Sequence, residues 1–229
     1  MEQLSSGLTL DIPAGAFPLS TDSMVLADFV RLPKNKQILD LGSGCGTLGL
    51  LLCAKDPDCC ITGIELHSHS HEAAEENIRR NNLLCRMKSI CADLRQIPDL
   101  LKPGIFSVCV SNPPYFSGGP ASLNNPNARR DDCCTSEDLF RSAAWALRYG
   151  GDFFLVHRPE KLAELCACGS RHQLELKRLR LVHHKPSGDV SLILMQFRKG
   201  GKCGHSWEKI HLFEEDGTPS EAHRRIYHI

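Results

Sequence analysis

A short apolar run that leads into three closely spaced glycines constrains the fold of this chain most. The run is Gln37–Leu41, the segment Gly42–Gly46 reads Gly-Ser-Gly-Cys-Gly, and the apolar stretch Thr47–Lys55 that follows has helical length. A buried strand, a glycine-rich turn and a helix in this order are typical of an open α/β sheet. Glycines in such a turn let a ligand approach the backbone closely. A tight turn without a ligand is the alternative interpretation.

Strands and helices alternate along the rest of the chain. Apolar runs predict further strands at Cys60–Glu65, Met87–Cys91, Phe106–Ser111, Asp152–His157, Leu174–Val182 and Val190–Arg198. Helical patterns lie between them, at His69–Asn82, Glu137–Leu147 and Pro159–Cys168. The turn Pro186–Asp189 predicts an antiparallel hairpin of the last two strands.

This order of elements predicts an α/β fold. We expect a seven-stranded, mostly parallel sheet with one antiparallel strand and helices on both faces. Residues 1–30 precede the first strand and are predicted to form an N-terminal extension that packs near the ligand site. Residues 31–229 are predicted to form the main domain, so that the chain has a single domain overall.

The charge balance limits the kinds of partner. Lysine and arginine together number 27, aspartate and glutamate also number 27, and the formal net charge is zero. A nonspecific nucleic-acid coat protein is disfavoured because it needs a strongly basic chain, whereas an enzyme with a small footprint fits. Basic clusters at 129–130, 177–180 and 198–202 are either phosphate contacts or ordinary solvated faces.

The cysteines and histidines do not form a recognisable metal pattern. Twelve cysteines are present, and many of them lie inside apolar runs. No C-x-x-C…C-x-x-C spacing occurs, so we predict no metal site and a reduced protein. The segment His67–His71 could bind a metal, but we interpret it as a polar helix start. The polar segment Met1–Ser5 and the lack of a long apolar stretch favour a cytoplasmic protein away from membranes.

Acidic residues close to the ends of the first three strands indicate a ligand with hydroxyl and amino groups. Asp40 stands just ahead of the glycine turn, Glu65 ends the second strand and Asp93 follows the third. A carboxylate at the position of Glu65 reaches ribose hydroxyls in folds of this kind. A dinucleotide fits less well, because its G-x-G-x-x-G pattern needs glycine where Thr47 stands. Asp93 can also cap a short helix that begins at Leu94.

The tetrapeptide Asn112-Pro113-Pro114-Tyr115 directly follows the fourth strand, at the edge where open α/β sheets bind ligands. Its two prolines lack backbone N–H groups, so the backbone at these positions offers only carbonyl acceptors. The Asn112 side-chain oxygen and the Pro113 carbonyl can accept both N–H groups of an exocyclic amine, which frees the nitrogen lone pair for attack on a methyl group. Tyr115 can stack on a flipped base. A structural turn is the alternative interpretation.

Both motifs resemble those of known enzymes. The glycine turn with Asp40 looks like motif I of Rossmann-like class I methyltransferases, which use S-adenosylmethionine, and the tetrapeptide looks like motif IV of amino-methyltransferases. The resemblance implies that Asp93 accepts from the adenine amino group of the cofactor. It implies a cofactor site made of Thr21, Asp40, Gly42, Gly44, Gly46, Glu65, Leu66, Asp93, Leu94 and Asn112. It implies the catalytic residues Asn112, Pro113, Pro114 and Tyr115.

The resemblance extends along the chain to one family. Gly15–Ala27 and Glu215–Ala222 look like the first and last segments of the bacterial tRNA1(Val) (adenine-37-N6)-methyltransferases, in which the Thr21-Asp22 region lies near the methionine end of the cofactor. Ala128–Asp131 is also similar, although Arg130 stands where a histidine is usual. The resemblance implies methylation of an adenine N6 in tRNA. Arg129 and Arg130 are the predicted RNA contacts because they lie in the loop that follows the tetrapeptide, beside the predicted catalytic site. We expect no obligatory protein partner, and a monomer.

Other functions remain open. A protein-glutamine N5-methyltransferase acting on peptide release factors shares the tetrapeptide, but only about 36 residues precede the first strand, too few for the helical domain usual there. A DNA methyltransferase is disfavoured because no segment is long enough for a target-recognition domain. A catalytically inactive RNA-binding scaffold is disfavoured by the intact glycine turn, Glu65 and Asn112–Tyr115.

Overall fold

The strands and helices follow the predicted alternation. A computed structural model describes residues 2–4, 7–13, 19–34, 36–114 and 134–227. The strands are β1 Glu2–Gln3, β2 Thr9–Leu10, β3 Gln37–Leu41, β4 Cys60–Glu65, β5 Met87–Cys91, β6 Phe106–Ser111, β7 Leu147–His157, β8 Leu174–His183, β9 Val190–Lys199 and β10 Ser206–His211. The helices are α1 Thr21–Phe29, α2 Thr47–Lys55, α3 Ser68–Arg80, α4 Ile97–Leu100, α5 Ser136–Ala146, α6 Leu162–Arg171 and α7 Glu221–Tyr227.

The main sheet has the strand order β10-β8-β9-β7-β6-β3-β4-β5. Strands β3 to β7 pair in parallel, β9 runs antiparallel to both β7 and β8, and β10 is parallel to β8. The α/β class, the single antiparallel strand and the β8–β9 hairpin are therefore confirmed. The predicted count of seven strands is wrong, because β10 adds an eighth. Its sequence lacks an apolar run, since its residues are exposed or half-buried at the sheet edge.

Alternate residues of the central strands enter two hydrophobic clusters. Ile38 and Phe154 belong to one cluster, together with buried residues of α1, α2 and α3. Leu39 and Phe153 belong to the other, with buried residues of α5 and α6. Successive side chains of a strand point to opposite faces, so the clusters mark the two sides of the sheet. Helices therefore cover both faces, as predicted.

Two predicted boundaries differ from the structure. Helix α5 begins at Ser136, one residue before the predicted start, because Thr135 caps it: the Thr135 hydroxyl accepts from the Asp138 amide while the Asp138 carboxylate accepts from the Thr135 amide. Strand β7 begins at Leu147, five residues before the predicted start at Asp152, and includes Gly150 and Gly151. The register with β6 shifts between Leu147 and Asp152, and Gly150 lies in this irregular stretch with a φ of 76°, so the two glycines form a local irregularity inside the strand.

Arg180 joins three elements at the edge of the sheet. Its Nη1 lies 2.6 Å from Asp28 Oδ2 of α1, and its Nε lies 2.8 Å from Glu208 Oε1 of β10. The residue is only 8% exposed. The neighbouring Arg178 guanidinium lies 4.3 Å from the centre of the Phe29 ring. Arg178 and Arg180 thus hold α1 and β10 against β8 and are not part of a solvated basic face.

We expect Arg180→Ala to lower the free energy of unfolding by about 3 kcal/mol, because it leaves Asp28 in a half-buried site without its closest cation. Arg225, which lies 3.3 Å from Asp28, compensates only in part. Equilibrium unfolding in urea measures the change. Arg79→Ala is the matched control, since its ion pair with Glu76 is exposed and contributes below about 1 kcal/mol. Equal losses in the two variants would contradict this role of Arg180.

Candidate active site

The predicted site residues lie at one edge of the sheet. Strands β3, β4, β5 and β6 are neighbours and run in parallel, so their carboxyl ends lie side by side. The glycine turn follows β3, Leu66 follows β4, Asp93 follows β5 and Asn112 follows β6. The structure thus brings the predicted groups of these four segments together.

The glycine turn is built on the ends of its neighbours. Gly42, Gly44 and Gly46 have φ angles of 74°, 55° and 85°, a region that other residues rarely adopt. The amides of Gly42 and Ser43 both donate to the Ile64 carbonyl at 3.0 Å, which fixes the turn to β4. Helix α2 begins immediately after the turn, so its N-terminus points toward the site.

Glu65 holds this turn from β4. Its Oε2 accepts from the Gly44 amide at 2.8 Å, and its Oε1 accepts from the His67 amide at 2.9 Å. The side chain is buried, with the residue 7% exposed. Each carboxylate oxygen has two lone pairs, so both oxygens can still accept from ribose hydroxyls. The geometry fits the predicted role of Glu65 and adds a structural one.

Asp40 is a buried carboxyl group beside Glu65. It is 1% exposed, and its Oδ2 has no hydrogen-bond partner among the residues that the structure describes. Burial and the negative charge of Glu65 raise the pKa of Asp40 to about 7, against a hydrogen bond from the Gly49 amide. Two acidic groups in a closed space favour a cationic ligand. S-adenosylmethionine carries a sulfonium and an ammonium group, so the carboxyl groups of Asp40 and Glu65 fit this cofactor.

We expect cofactor binding to strengthen as the pH rises to about 7 and to level off above it. A cationic ligand binds best to ionised Asp40, so below a pKa of about 7 binding must first remove a proton. The affinity then falls by up to about tenfold per pH unit as the pH is lowered. In the protein without cofactor, the raised pKa means that folded Asp40 holds its proton more tightly than the unfolded chain does. The stabilisation of the fold that this proton provides is lost as the pH rises toward 7.

Calorimetric titration with S-adenosylmethionine between pH 5.5 and 8.5, in buffers of different ionisation enthalpy, measures both the affinity and the proton released. Asp40→Asn is the control, and we expect it to bind weakly with little pH dependence. A pH-independent affinity in the unaltered protein would contradict the assignment of Asp40.

Asp93 accepts hydrogen bonds from its own turn. Its Oδ1 accepts from the Arg95 amide at 2.8 Å, which caps the short 3-10 turn Leu94–Gln96. The Arg95 guanidinium also donates to Asp93, with Nε 2.8 Å from Oδ2, and thereby lowers the pKa of Asp93. The predicted capping role is confirmed. Leu66 is 40% exposed and Leu94 is half-buried, so both offer apolar surface beside this carboxylate.

Asn112 is oriented by a residue that the sequence analysis missed. Its Nδ2 donates to the Ser23 hydroxyl at 3.0 Å, and in the described part of the chain its Oδ1 has no partner. Ser23 is buried in the first turn of α1, where Ser20 caps the helix. In this orientation the amide nitrogen faces Ser23, and the carbonyl oxygen is left as an available acceptor. The only signal in the sequence was the run Ser20–Ser23, a helix-capping pattern.

Two further residues position the site without having been predicted. Asn77 of α3 is fully buried, and its Nδ2 donates to the carbonyls of Cys45 at 3.0 Å and Asp11 at 2.9 Å. It therefore joins the N-terminal segment to the glycine turn. Ser111 donates to the Leu41 carbonyl at 2.7 Å, which holds the end of β6 against the end of β3. Pro113 is half-buried and Pro114 exposed.

The described geometry assigns no role in this site to several of the predicted residues. Tyr115, Arg129 and Arg130 lie outside the described residues, so their roles stay predictions. Thr21 begins α1, and its hydroxyl lies 3.1 Å from Tyr227 Oη of α7. Within the described ranges, no group of three or more acidic, histidine or cysteine side chains could hold a metal ion. His71 instead bonds the Ser89 hydroxyl at 2.8 Å.

Comparison with known proteins agrees with this geometry. The family model described as the methyltransferase small domain matches residues 18–166. The chain belongs to this family. The tRNA1(Val) (adenine(37)-N6)-methyltransferase of Bacteroides thetaiotaomicron is 30% identical over 190 residues, which cover 80% of this chain and 77% of that enzyme. The enzyme of the same name from Shewanella halifaxensis is 30% identical over 161 residues, covering 69% of this chain and 65% of its own.

Solved structures share the fold of this methyltransferase. A predicted O-methyltransferase from Agrobacterium tumefaciens has a TM-score of 0.75 at 21% identity, covering 91% of this chain and 96% of its own. A geranyl diphosphate methyltransferase in complex with S-adenosylmethionine has a TM-score of 0.59 at 13% identity, covering 77% and 84%. The predicted family and the Rossmann-like class I fold are confirmed, and the protein is an S-adenosylmethionine-dependent methyltransferase.

Proposed function

We propose that this methyltransferase methylates the N6 amine of an adenine in tRNA, with position 37 of a valine tRNA as the expected target. The observation that carries the proposal is the orientation of Asn112, whose amide nitrogen is held by Ser23 at 3.0 Å. This bond leaves Oδ1 to accept from an exocyclic amine at the edge of the glycine turn. The curated relatives described above carry the name of this reaction.

In this proposal the cofactor lies along the ends of β3, β4 and β5. Gly42, Gly44 and Gly46 let its methionine part approach the backbone, and Glu65 accepts from its ribose hydroxyls. Asp93 accepts from its adenine amino group between Leu66 and Leu94. Asp40 complements its positive charge, and Thr21 approaches from α1. When bound, S-adenosylmethionine supplies an electrophilic methyl group.

The target adenine is held by the tetrapeptide. Asn112 Oδ1 and the Pro113 carbonyl accept the two N–H groups of N6, which directs the nitrogen lone pair toward the methyl group. With the cofactor bound, the nitrogen would take the methyl group as the sulfur–carbon bond breaks, and Asn112 Oδ1 and the Pro113 carbonyl would hold the two protons until one of them is released to water. Pro114 fixes the backbone beyond the carbonyl, and Tyr115 stacks on the flipped base.

The surroundings complete the proposal. Residues 1–30 act as an extension over the cofactor site of the domain 31–229, in keeping with the bonds from Asn77 to Asp11 and Cys45. Arg129 and Arg130 contact the RNA backbone. Each described cysteine is a free thiol, which supports action in the reducing cytoplasm. In the described part of the chain, no helix has the length and apolar character needed to cross a membrane. We infer a monomer without an obligatory protein partner.

Methyl transfer from radiolabelled S-adenosylmethionine to unmodified bulk tRNA, with a peptide release factor in parallel, tests the proposal. We expect label in tRNA that nucleoside analysis recovers as N6-methyladenosine. Label only in the release factor would move the protein to the glutamine methyltransferases, which use the same acceptors for an amide nitrogen. Label in neither substrate would overturn the proposed function.

A further inference from the structure

A cavity lies next to the proposed catalytic site, and of its lining residues only Thr21 has been given a role above. Its volume is about 250 Å³, below the range of roughly 300–1,000 Å³ typical of pockets for drug-sized ligands. This size suits one flat heterocycle. Its lining includes Thr21, Arg158, His184, Phe213, His223 and Tyr227.

Four aromatic rings form one side of this cavity, and we call them the ring ladder. The ring centres of His184 and Phe213 are 4.8 Å apart, those of Phe213 and His223 are 4.9 Å apart, and those of His223 and Tyr227 are 4.4 Å apart with planes at 20°. The first two pairs are tilted, with planes at 46° and 49°, and the last pair is stacked; all three are in the range of favourable ring contacts. His184 is exposed and the other three rings are only partly buried. Phe213 and Tyr227 also pack against the hydrophobic core, so the ladder anchors α7 and at the same time presents ring surface to the cavity.

Polar groups around the ring ladder match the other parts of a nucleotide. Arg158 follows the end of β7 and is exposed, with Nη1 3.4 Å from the Ser191 carbonyl. A guanidinium group at this point can pair with a phosphate. Nδ1 of His223 is buried without a hydrogen-bond partner among the described residues. It offers a polar atom to the edge of a base that stacks beside it.

The cavity adjoins the catalytic residue through α1. Tyr227 Oη lies 3.1 Å from the Thr21 hydroxyl, and Thr21 stands two residues before Ser23, which holds Asn112. The sheet places the two sites together as well: Asn112 directly follows β6, Arg158 directly follows β7, and these neighbouring parallel strands pair at Ser111 and Leu155. A ligand on the ring ladder and an adenine at Asn112 would therefore be close neighbours, as two successive nucleotides of one strand are.

We propose that the ring ladder binds the base of the nucleotide next to the target adenine. The neighbouring base stacks on the ladder, and Arg158 pairs with an adjoining phosphate. The inference rests on the proposed function, since it requires an RNA substrate. It also explains how a chain without net charge holds RNA: stacking near the reacting base replaces a broad positive field.

Steady-state methyl transfer to unmodified tRNA tests this inference with His184→Ala. We expect KM for tRNA to rise by about tenfold, the loss typical of one base–aromatic contact, while kcat at saturating tRNA changes little. His205→Ala is the matched control, because it removes an exposed histidine from outside the cavity. Tyr227→Leu and Tyr227→Phe form a second pair: only the leucine variant loses the ring, so only it is expected to raise KM.

A substrate series makes the test specific for the neighbouring base. Transcripts are prepared with an abasic residue on either side of the methylated adenosine. One of the two transcripts lacks the base that is proposed to stack on the ring ladder. On that transcript, His184→Ala should cause no further rise in KM, since the contact between the base and the ladder is already absent. An unchanged KM in His184→Ala on intact tRNA would overturn the inference, as would weaker calorimetric binding of S-adenosylmethionine, which would assign the cavity to the cofactor. If the unaltered protein methylates no RNA, the proposed function fails first and the inference fails with it.

Discussion

Asn112→Ala is expected to abolish methyl transfer. The substitution removes the acceptor Oδ1 and the bond to Ser23, so the target amine loses one of two groups that orient its lone pair. Loss of one preorganised polar contact to a reacting centre costs about 10²–10³ in kcat, and here the contact also positions the nucleophile. Single-turnover transfer of labelled methyl groups to tRNA measures the effect.

The matched variant is Asn112→Asp. A carboxylate keeps an acceptor oxygen, and the Ser23 hydroxyl can reverse its role and donate to it, so we expect measurable residual transfer. Calorimetric titration should show nearly unchanged affinity for S-adenosylmethionine in both variants. Full turnover by Asn112→Ala would exclude a catalytic role for the tetrapeptide and would favour its interpretation as a structural turn.

Glu65→Ala is expected to weaken binding of S-adenosylmethionine by about a hundredfold or more. The carboxylate accepts from the Gly44 and His67 amides, at 2.8 and 2.9 Å, and therefore shapes the turn, and in the proposed function it also accepts from the ribose. Charge-assisted hydrogen bonds contribute about 1.5–3 kcal/mol each, and the substitution leaves two backbone donors without their acceptor. Calorimetry with S-adenosylmethionine measures the loss.

Two comparisons separate the cofactor contact from a folding defect. Glu65→Gln keeps one good acceptor but turns its amide N–H₂ toward a backbone donor, so we expect an intermediate affinity. Glu75→Ala changes an exposed carboxylate on α3 and should bind the cofactor normally. If Glu65→Ala binds the cofactor as tightly as the unaltered protein, the assignment of Glu65 to the ribose is wrong.

The central strands were predictable because they are buried on both faces. Phe106–Ser111 and Cys60–Glu65 lie inside the sheet and read as nearly continuous apolar runs, and both bounds agree with the structure. Strand β10 escaped prediction because it lies at the edge, where Trp207 is 66% exposed and apolar patterning is not required. Its place in the sheet depends on parallel pairing with β8, a contact that the local sequence does not encode.

The site follows a similar division. Residues that directly follow strands, such as Glu65 and Asn112, could be placed from the order of elements, since parallel strands end at one edge. Ser23 and Asn77 could not, because each acts through a long-range bond: Ser23 to Asn112 across 89 positions and Asn77 to Cys45 across 32. A serine inside a helix start and an asparagine inside a helix carry no local pattern that distinguishes them from ordinary polar residues.

The first and last helices of the structure meet beside the catalytic edge, and this affects how the enzyme matures during synthesis. Arg225 of α7 lies 3.3 Å from Asp28 of α1, 197 positions earlier in the chain. At translation rates of about 5–20 residues per second, α1 waits roughly 10–40 s for this partner after leaving the ribosome. The glycine turn and Glu65 can assemble long before that. We therefore expect a nascent chain to gain its cofactor cleft first and its surface around Thr21 last, so that it cannot engage substrate fully until α7 has emerged.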